Sequence, residues 1–132
     1  MRRALAAGLA LAFAGCSAPP ENQAVCDAYA AGRSHVEVLA SGEVERVLGT
    51  QPGVVGPHEG FLLRLGTACR VVVRVEANVD FTGEFALRRG ERVTVKGEYE
   101  YYPRGGVIHW THRDPRGHHE SGFLLIDGRY YD

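Results

Sequence analysis

Histidine and acidic residues are concentrated in one short segment of this sequence. Four of the six histidines lie between residues 109 and 119, Asp114 lies among them, and Glu120 follows directly. Imidazole and carboxylate groups are common zinc ligands, and they are also the side chains that most often act as general acids and bases. The segment therefore predicts either a divalent-metal site or a proton-transfer site.

The spacing of the histidines limits which of them could share a metal ion. His109 and His112 are three residues apart, so in a regular strand their side chains point to opposite faces. A turn over residues 114–117 would fold the chain back and bring His112 close to the last two histidines, His118 and His119. We therefore expect zinc or another divalent metal, if one is bound, to use a set drawn from this region and one earlier histidine. That set is His58, His112, Asp114 and His119.

Each member of this set also has a purely structural explanation. Asp114 is a common first residue of a turn that continues with Pro115 and ends with Gly117. His112 could be a hydrogen-bonded core histidine, and His118-His119 could belong to a solvated loop. The sequence leaves the metal and the structural interpretations open.

A predicted hairpin before this segment supplies a candidate for proton transfer. A four-residue turn over 103–106 would place Glu100 across from His109, and Gly97 across from His112 with room for its imidazole. A neighbouring carboxylate favours the imidazolium form and so tunes a histidine that acts as a general base. The catalytic candidates are therefore His109, Glu100 and His112. The same register places Trp110 on the apolar face with Tyr99, and hence in the core.

Three arginines form a candidate anion-binding surface. Alternation of apolar and polar residues predicts that Arg64, Arg70 and Arg74 share the outer face of two neighbouring strands. Guanidinium groups bind phosphate, sulfate and carboxylate through two parallel hydrogen bonds. We expect these arginines, together with Trp110, to bind a ligand. A solvated strand face with acidic neighbours such as Glu76 is the alternative.

The elements that must position these residues are mainly strands. A helix is predicted over 21–31, and alternating segments follow over 36–48, 61–65, 71–75, 93–101 and 107–112. A last hairpin turns at Asp127-Gly128. Five or six antiparallel strands in so short a segment avoid long bare edges by closing on themselves. We therefore predict a small closed or partly open antiparallel OB-like barrel with one short N-terminal helix.

The first 16 residues resemble the signal sequence of bacterial lipoproteins. Arg2 and Arg3 precede an apolar stretch that is too short to span a bilayer, and this stretch ends in Phe13-Ala14-Gly15-Cys16. The resemblance implies cleavage before Cys16, lipidation of Cys16 and, in a Gram-negative host, an outer-membrane anchor facing the periplasm; an ordinary secretory signal is the alternative. The predicted organisation is a signal peptide over 1–15, a lipidated tether over 16–20 and one β-barrel domain over 21–132.

Removal of residues 1–15 changes the charge and the cysteine count. The precursor has 132 residues and a net charge of −1, whereas the remaining 117 residues carry 13 basic and 16 acidic side chains, a net charge of −3. This charge argues against nucleic acid as a partner. Once Cys16 carries lipid, Cys26 and Cys69 are the remaining thiols. In an oxidising compartment we expect them to form a disulfide.

Several motifs together resemble one family of small bacterial proteins, domain-of-unknown-function family 3465. The most specific is the run Gly105-Gly-Val-Ile-His-Trp-Thr-His112 followed by Asp114-Pro115, and the likeness extends over residues 33–131. The family commonly has a histidine where this chain has Ala77 and a tryptophan where it has Phe123. The first departure weakens any metal site that would use that histidine. The resemblance implies no particular activity.

Three functions remain compatible with these observations. The first is an envelope lipoprotein whose barrel binds an anionic glycan or an envelope protein, as OB-type barrels bind ligands on their outer face. The second is a metal-dependent hydrolase or nuclease whose chemistry depends on the histidine-rich region. The third is a structural protein that only docks other envelope components. The residues of the second hypothesis are His58, His109, His112, Asp114 and His119.

Overall fold

The computed structural model describes residues 20–67 and 69–132. The predicted signal peptide and Cys16 lie outside these residues. Within the described part of the chain, no helix is both long and apolar enough to cross a membrane. The elements are α1 (Pro20–Ala31), β1 (Val36–Gln51), β2 (His58–Arg64), β3 (Val72–Asn78), α2 (Val79–Thr82), β4 (Arg92–Glu100), β5 (Val107–His109), β6 (Phe123–Ile126) and β7 (Arg129–Tyr131).

Five of the seven strands form a closed ring. The strands are hydrogen-bonded in the order β1-β2-β3-β5-β4, and β4 pairs with β1 to complete the ring. Strand β6 pairs with residues 93–96 of β4, on the edge whose residues 98–100 pair with β5, and β7 extends the sheet from β6. This five-stranded ring with one short N-terminal helix confirms the predicted OB-like, mainly β architecture. One pairing differs from the antiparallel prediction, because β3 and β5 run parallel.

Five strands are enough to close the ring because β1 is long and pairs with a different strand along each half. Its first half pairs with β4 from Val36 to Glu43, and its second half pairs with β2 from Glu43 to Gln51. Two register shifts in the second half, at Val44/Arg46 and Val47/Gly49, increase the local bend of the strand. The alternating side chains inside the ring form one apolar core. Its largest fully buried members are Tyr99, Phe61, Leu63, Ile108 and Leu124.

Helix α1 is fixed to the barrel by apolar and polar contacts. Val25 and Ala28 are fully buried against the core. The Asn22 amide is also buried: its Nδ2 donates to the backbone oxygens of Ser41 and Leu65, both at 2.9 Å, and its Oδ1 accepts from the Ser41 N–H at 2.8 Å. A buried amide with all three partners satisfied fixes the position of the helix.

The predicted disulfide between Cys26 and Cys69 is confirmed. The two residues are separated by 43 positions, with their Cα atoms 5.7 Å apart. The bond joins α1 to the turn between β2 and β3, next to the Leu65 carbonyl that Asn22 also contacts. The helix is therefore held to the same end of the barrel by a covalent bond and by hydrogen bonds.

Two consecutive glycines bring β5 against the rest of the ring. Gly105 and Gly106 have φ values of 110° and 85°. A Cβ on Gly105 would lie 1.9 Å from the Val72 carbonyl oxygen, and one on Gly106 would lie 2.4 Å from the Tyr99 hydroxyl. The Tyr99 hydroxyl donates to the Gly105 carbonyl at 3.0 Å, and burial raises the pKa of Tyr99 to about 12. Only glycine fits both positions.

The register between β4 and β5 differs from the predicted one. His109 pairs with Glu98 rather than Glu100, and Tyr99 pairs with Ile108 rather than Trp110. The connection between β4 and β5 is longer than the predicted four residues, because the backbone at Gly105 and Gly106 packs closely against its neighbours, including Tyr99, before β5 begins. Side-chain alternation is unchanged, so Ile108 is buried as predicted.

The prediction that Trp110 lies in the core is wrong. Strand β5 ends at His109, and Trp110 has a φ of 55° and is 38% exposed. The predicted role of Gly97 is also corrected: its missing Cβ makes room for the His109 carbonyl oxygen, which would lie at 2.3 Å, and not for His112. At the end of the chain, the predicted turn at Asp127-Gly128 is confirmed, with φ values of 49° and 76°.

Replacement of both Cys26 and Cys69 by alanine is expected to lower the free energy of unfolding by about 4 kcal/mol. The disulfide closes a loop of 44 residues, and without it the unfolded chain regains the corresponding loop entropy. Urea denaturation of the oxidised wild type, the reduced wild type and the double variant measures the effect. Equal midpoints for all three proteins would contradict the expectation.

Candidate functional site

A cleft of about 590 Å³ lies at the end of the barrel where β3 and β5 finish. Its walls come from the start of β2, the end of β3, helix α2 and the segment that follows β5. Five of the six histidines line it, and we call it the histidine cleft. These histidines are His58, His109, His112, His118 and His119.

An aromatic cluster forms one wall of the histidine cleft. Phe81 of α2 stacks on the His112 ring, with centroids 4.3 Å apart and the planes 14° from parallel. His119 meets His112 edge-on at 4.7 Å, and Trp110 lies 4.6 Å from His119. His112 is buried, whereas Phe81 and Trp110 are exposed. Stacked and edge-to-face rings hold this wall in a defined shape.

Three imidazoles in the cleft are oriented by backbone carbonyl groups. The Nδ1 atoms of His58, His112 and His119 donate to the carbonyl oxygens of Gly56, Arg113 and Glu120 at 2.8, 2.9 and 2.7 Å. A carbonyl oxygen only accepts, so each Nδ1 carries a hydrogen. Each neutral ring is left with a lone pair on Nε2. The three histidines therefore offer acceptor groups whose orientation is fixed.

The walls of the cleft are joined by hydrogen bonds at the end of β3. The buried Asn78 side chain accepts from the Asp80 N–H, which begins α2, and its Nδ2 donates to the Val55 carbonyl at 2.7 Å. Thr111, also buried, donates to the Glu76 carbonyl at 3.0 Å. These contacts tie the 52–57 loop, α2 and the segment after β5 to the same strand.

Asp114 organises the loop that carries the last two histidines. Its carboxylate accepts from the backbone N–H groups of Arg116, His118 and His119. Burial acts to raise the pKa of Asp114, but these three donors and the charge of His119 outweigh it and lower the pKa to about 2. The turn that the sequence predicts at this aspartate is therefore present.

The predicted metal ligands all line the cleft, but their donor atoms do not lie within 4.8 Å of one another. In the described residues, one set of three or more His, Cys, Asp or Glu side chains has its donor atoms within 4.8 Å of one another, and it consists of His35, Glu98 and Glu100. His119 Nε2 lies 3.9 Å from Asp114 Oδ2. No third donor from His58 or His112 joins this pair within that distance.

The predicted pair of Glu100 and His109 is brought together in spite of the shifted register. His109 Nε2 lies 3.7 Å from Glu100 Oε1 and 3.5 Å from Glu98 Oε1, because residues 98 and 100 share one face of β4. Burial acts to raise the pKa of Glu98, but hydrogen bonds with the side chains of His35 and Glu100 and the charge of His109 lower it overall. His112, the third catalytic candidate, lies apart from this pair, in the aromatic cluster.

The three arginines do not form one surface of unpaired guanidinium groups. Arg64 and Arg74 lie on the same outer face of β2 and β3, but Arg64 Nε is 3.1 Å from Glu45 and Arg74 forms an ion pair with Glu76. Arg70 precedes β3 in a turn, at a φ of 50°. The strand prediction placed Arg70 on this face because alternation was extended two residues beyond the start of β3 at Val72.

Three residues of these sites were missed by the sequence interpretation. Phe81 lies in a segment predicted to be irregular, although Asn78-x-Asp80 is a recognisable helix start. The assumed four-residue turn shifted the predicted register, so that Glu100 and not Glu98 was expected to pair with His109. His35 lies 63 positions from its partner Glu98, and no local pattern indicates that contact.

The family model described as "Protein of unknown function (DUF3465)" matches residues 7–132 of the chain. The chain belongs to the DUF3465 family. This match confirms the family that the motifs indicated. Comparison with curated proteins and with solved structures gave no match.

An Asp114→Asn variant of this DUF3465 protein is expected to be less stable than the wild type at neutral pH, with a difference that disappears in acid. The pKa of Asp114 is lower in the folded state, so its charge stabilises the fold above the pKa of about 3.9 in the unfolded chain. That contribution is lost as the pH falls through about 2. Denaturation at several pH values between 7 and 2 measures this.

The exposed turn residue Asp127 provides the matched control, because asparagine also adopts its left-handed conformation. Asp127→Asn should leave stability unchanged at every pH. A difference between wild type and Asp114→Asn that stays constant down to pH 2 would show that charge at Asp114 is not the stabilising factor.

Proposed function

We propose that this protein is a ligand-binding module and that the histidine cleft binds an anionic glycan. The observation that carries the proposal is the position of Trp110. This large apolar side chain is 38% exposed, lines a concave site and is held by a left-handed backbone conformation directly after β5. An exposed aromatic side chain in a concavity is typical of a binding site.

The composition of the cleft suits a sugar ring. The apolar C–H face of a sugar can pack on Trp110 or Phe81, which removes apolar surface from water. Sugar hydroxyl groups can donate to the lone pairs on Nε2 of His58 and His112, whose Nδ1 atoms are already bonded to the backbone. The cleft therefore combines an apolar surface with fixed polar groups.

The preference for an anionic glycan follows from the arginines. Arg116 lines the cleft, and the described residues provide it with no ion-pair partner. Arg64 and Arg74, by contrast, are each paired with a glutamate. We therefore place the site of the predicted anionic glycan in the cleft, with Arg116 as the group that binds its carboxylate.

The alternative function, a metal-dependent hydrolase or nuclease, has less support from the geometry. It requires several donors around one ion within the histidine cleft. The Asp114 carboxylate is used by three backbone N–H groups, and the cleft histidines are held at separations set by the aromatic cluster. Binding of a glycan does not require these side chains to gather around one ion.

Trp110→Ala is expected to weaken binding of a uronic-acid oligomer at least about tenfold, which corresponds to about 1.4 kcal/mol. Isothermal titration calorimetry of the full-length protein in detergent measures the affinity. Trp110 is the single tryptophan of the chain, so a change in wild-type tryptophan fluorescence reports directly on the cleft. Tyr102→Ala, at an exposed aromatic residue outside the cleft, is the matched control and should bind as the wild type does.

The charge preference is tested with the methyl ester of the same oligomer. Arg116→Gln should lower the affinity for the acid to that for the ester, whereas Arg104→Gln, at another exposed arginine, should not. Unchanged affinity in Trp110→Ala, or no binding of either oligomer by the wild type, would refute the proposal.

We also propose that the protein is anchored in the bacterial cell envelope by lipid on Cys16, which in a Gram-negative host places it on the periplasmic face of the outer membrane. The support is the sequence Phe13-Ala14-Gly15-Cys16 after a charged and apolar start. More than one acyl chain makes such an anchor stable.

Cys16→Ala is expected to abolish both lipidation and recovery in the membrane fraction. The intact mass of the wild type should equal that of residues 16–132 plus acyl chains. Ala18→Ser, two residues further on, is the control and should be processed normally. Recovery of Cys16→Ala in membranes at the wild-type level would contradict the proposal.

A further inference from the structure

A second group of histidine and acidic side chains lies beside the cleft on the outer surface of the barrel. Glu98 and Glu100 project from the same face of β4. His109 of β5 pairs with Glu98 on one side, and His35, which directly precedes β1, approaches both carboxylates. We call these four residues the Glu-His cluster.

The donor atoms of His35, Glu98 and Glu100 lie within 4.8 Å of one another, and the distances from both histidines to the two carboxylates are close to those between ligands of a tetrahedral metal ion. His35 Nδ1 lies 3.2 Å from Glu98 Oε1 and 2.9 Å from Glu100 Oε1. His109 Nε2 lies 3.5 and 3.7 Å from the same two oxygens. Ligands at 2.0–2.1 Å from a tetrahedral zinc ion are separated from one another by about 3.3 Å.

Two buried polar atoms flank Glu98 without a hydrogen-bond partner. In the described chain these atoms are His109 Nε2 and Glu37 Oε2. Glu37 lies opposite Glu98 on β1, and His109 lies opposite it on β5. Buried polar groups are rarely left unpaired, so an orphaned imidazole nitrogen directed at two carboxylates indicates a missing partner.

The charge of the cluster also calls for a cation. Glu98 and Glu100 are each only about one-fifth exposed, at 23% and 21%, and Glu37 adds a third carboxylate on the same face. Like charges side by side on a strand face are destabilising when nothing compensates for them. A divalent ion bound by His35, Glu98 and Glu100 would balance the charge of the two carboxylates, and three protein ligands leave a fourth position for water.

We propose that the Glu-His cluster binds a divalent transition-metal ion, for which zinc is the best match. An imidazole ligand from His35, with the His109 ring beside the same carboxylates, favours zinc over magnesium and calcium, which prefer oxygen ligands alone. His35 is 78% exposed, so the site can load from solution through this ligand. The proposal does not depend on glycan binding, and it differs from the metal set in the histidine cleft that the sequence suggested.

The test is zinc binding by the full-length protein after treatment with a chelator. Isothermal titration calorimetry should show one zinc ion per wild-type chain. His35→Ala and Glu98→Gln should each weaken zinc at least about tenfold, since even loss of outer-shell partners weakens metal binding by 10–100-fold. Cobalt(II) should give the strong visible absorption of a four-coordinate complex in the wild type and lose it in both variants.

Matched controls separate the cluster from other surface donors. His118→Ala replaces a histidine that is 74% exposed, and Glu43→Gln replaces an exposed glutamate of β1 outside the cluster. Both should bind zinc as the wild type does, and circular dichroism confirms that every variant is folded. Should one cluster variant not fold, Glu100→Gln replaces it.

Two outcomes would overturn the proposal. One is the absence of stoichiometric zinc binding by the wild type, which would make the cluster an ion-pair network only. The other is wild-type zinc affinity in His35→Ala and Glu98→Gln together with loss of zinc in His112→Ala, which would place the metal in the histidine cleft.

Discussion

Closure of the ring depends on the close contact between the Gly105-Gly106 pair and two other strands. Val72 and Tyr99 occupy the space in which side chains at these glycines would lie. The Arg74 N–H then donates to the Gly106 carbonyl at 3.0 Å, which begins the parallel pairing of β3 with β5. Without this contact the edge of β3 and residues 98–100 of β4 would remain unpaired. A three-residue strand can therefore close the barrel because the backbone approaches so closely just before it.

The same contact determines where the candidate sites lie. Strand β5 is fixed at its start by this contact, and it ends after three residues because the left-handed conformation of Trp110 turns the chain out of the sheet. The following residues form a loop organised by Asp114 and not a continued strand. The histidine cleft is thus built from a loop on a closed barrel, an arrangement common for binding residues.

The fold could be predicted from the sequence to the extent that it depends on local patterns. Side-chain alternation indicated the strands, Pro20 and Gly32 bounded the helix, and Asp127-Gly128 identified the last hairpin. The register of β5 could not be predicted, because the length of its turn is set by contacts with Val72 and Tyr99 that are distant in sequence. The contact of His35 with Glu98 was missed for the same reason.

The run from Gly105 to His112 combines structural and surface residues in a fixed order. The two glycines and Ile108 close the barrel, so they are explained by packing alone. His109, the last residue of β5, points to the carboxylates on β4, and the next residue, Trp110, already faces the cleft with its ring 5.3 Å from that of His109. The change from strand to left-handed backbone between these two residues directs them to different surroundings. Because His109 also lines the cleft, the Glu-His cluster and the histidine cleft share a wall, and the orientation of this one imidazole affects both.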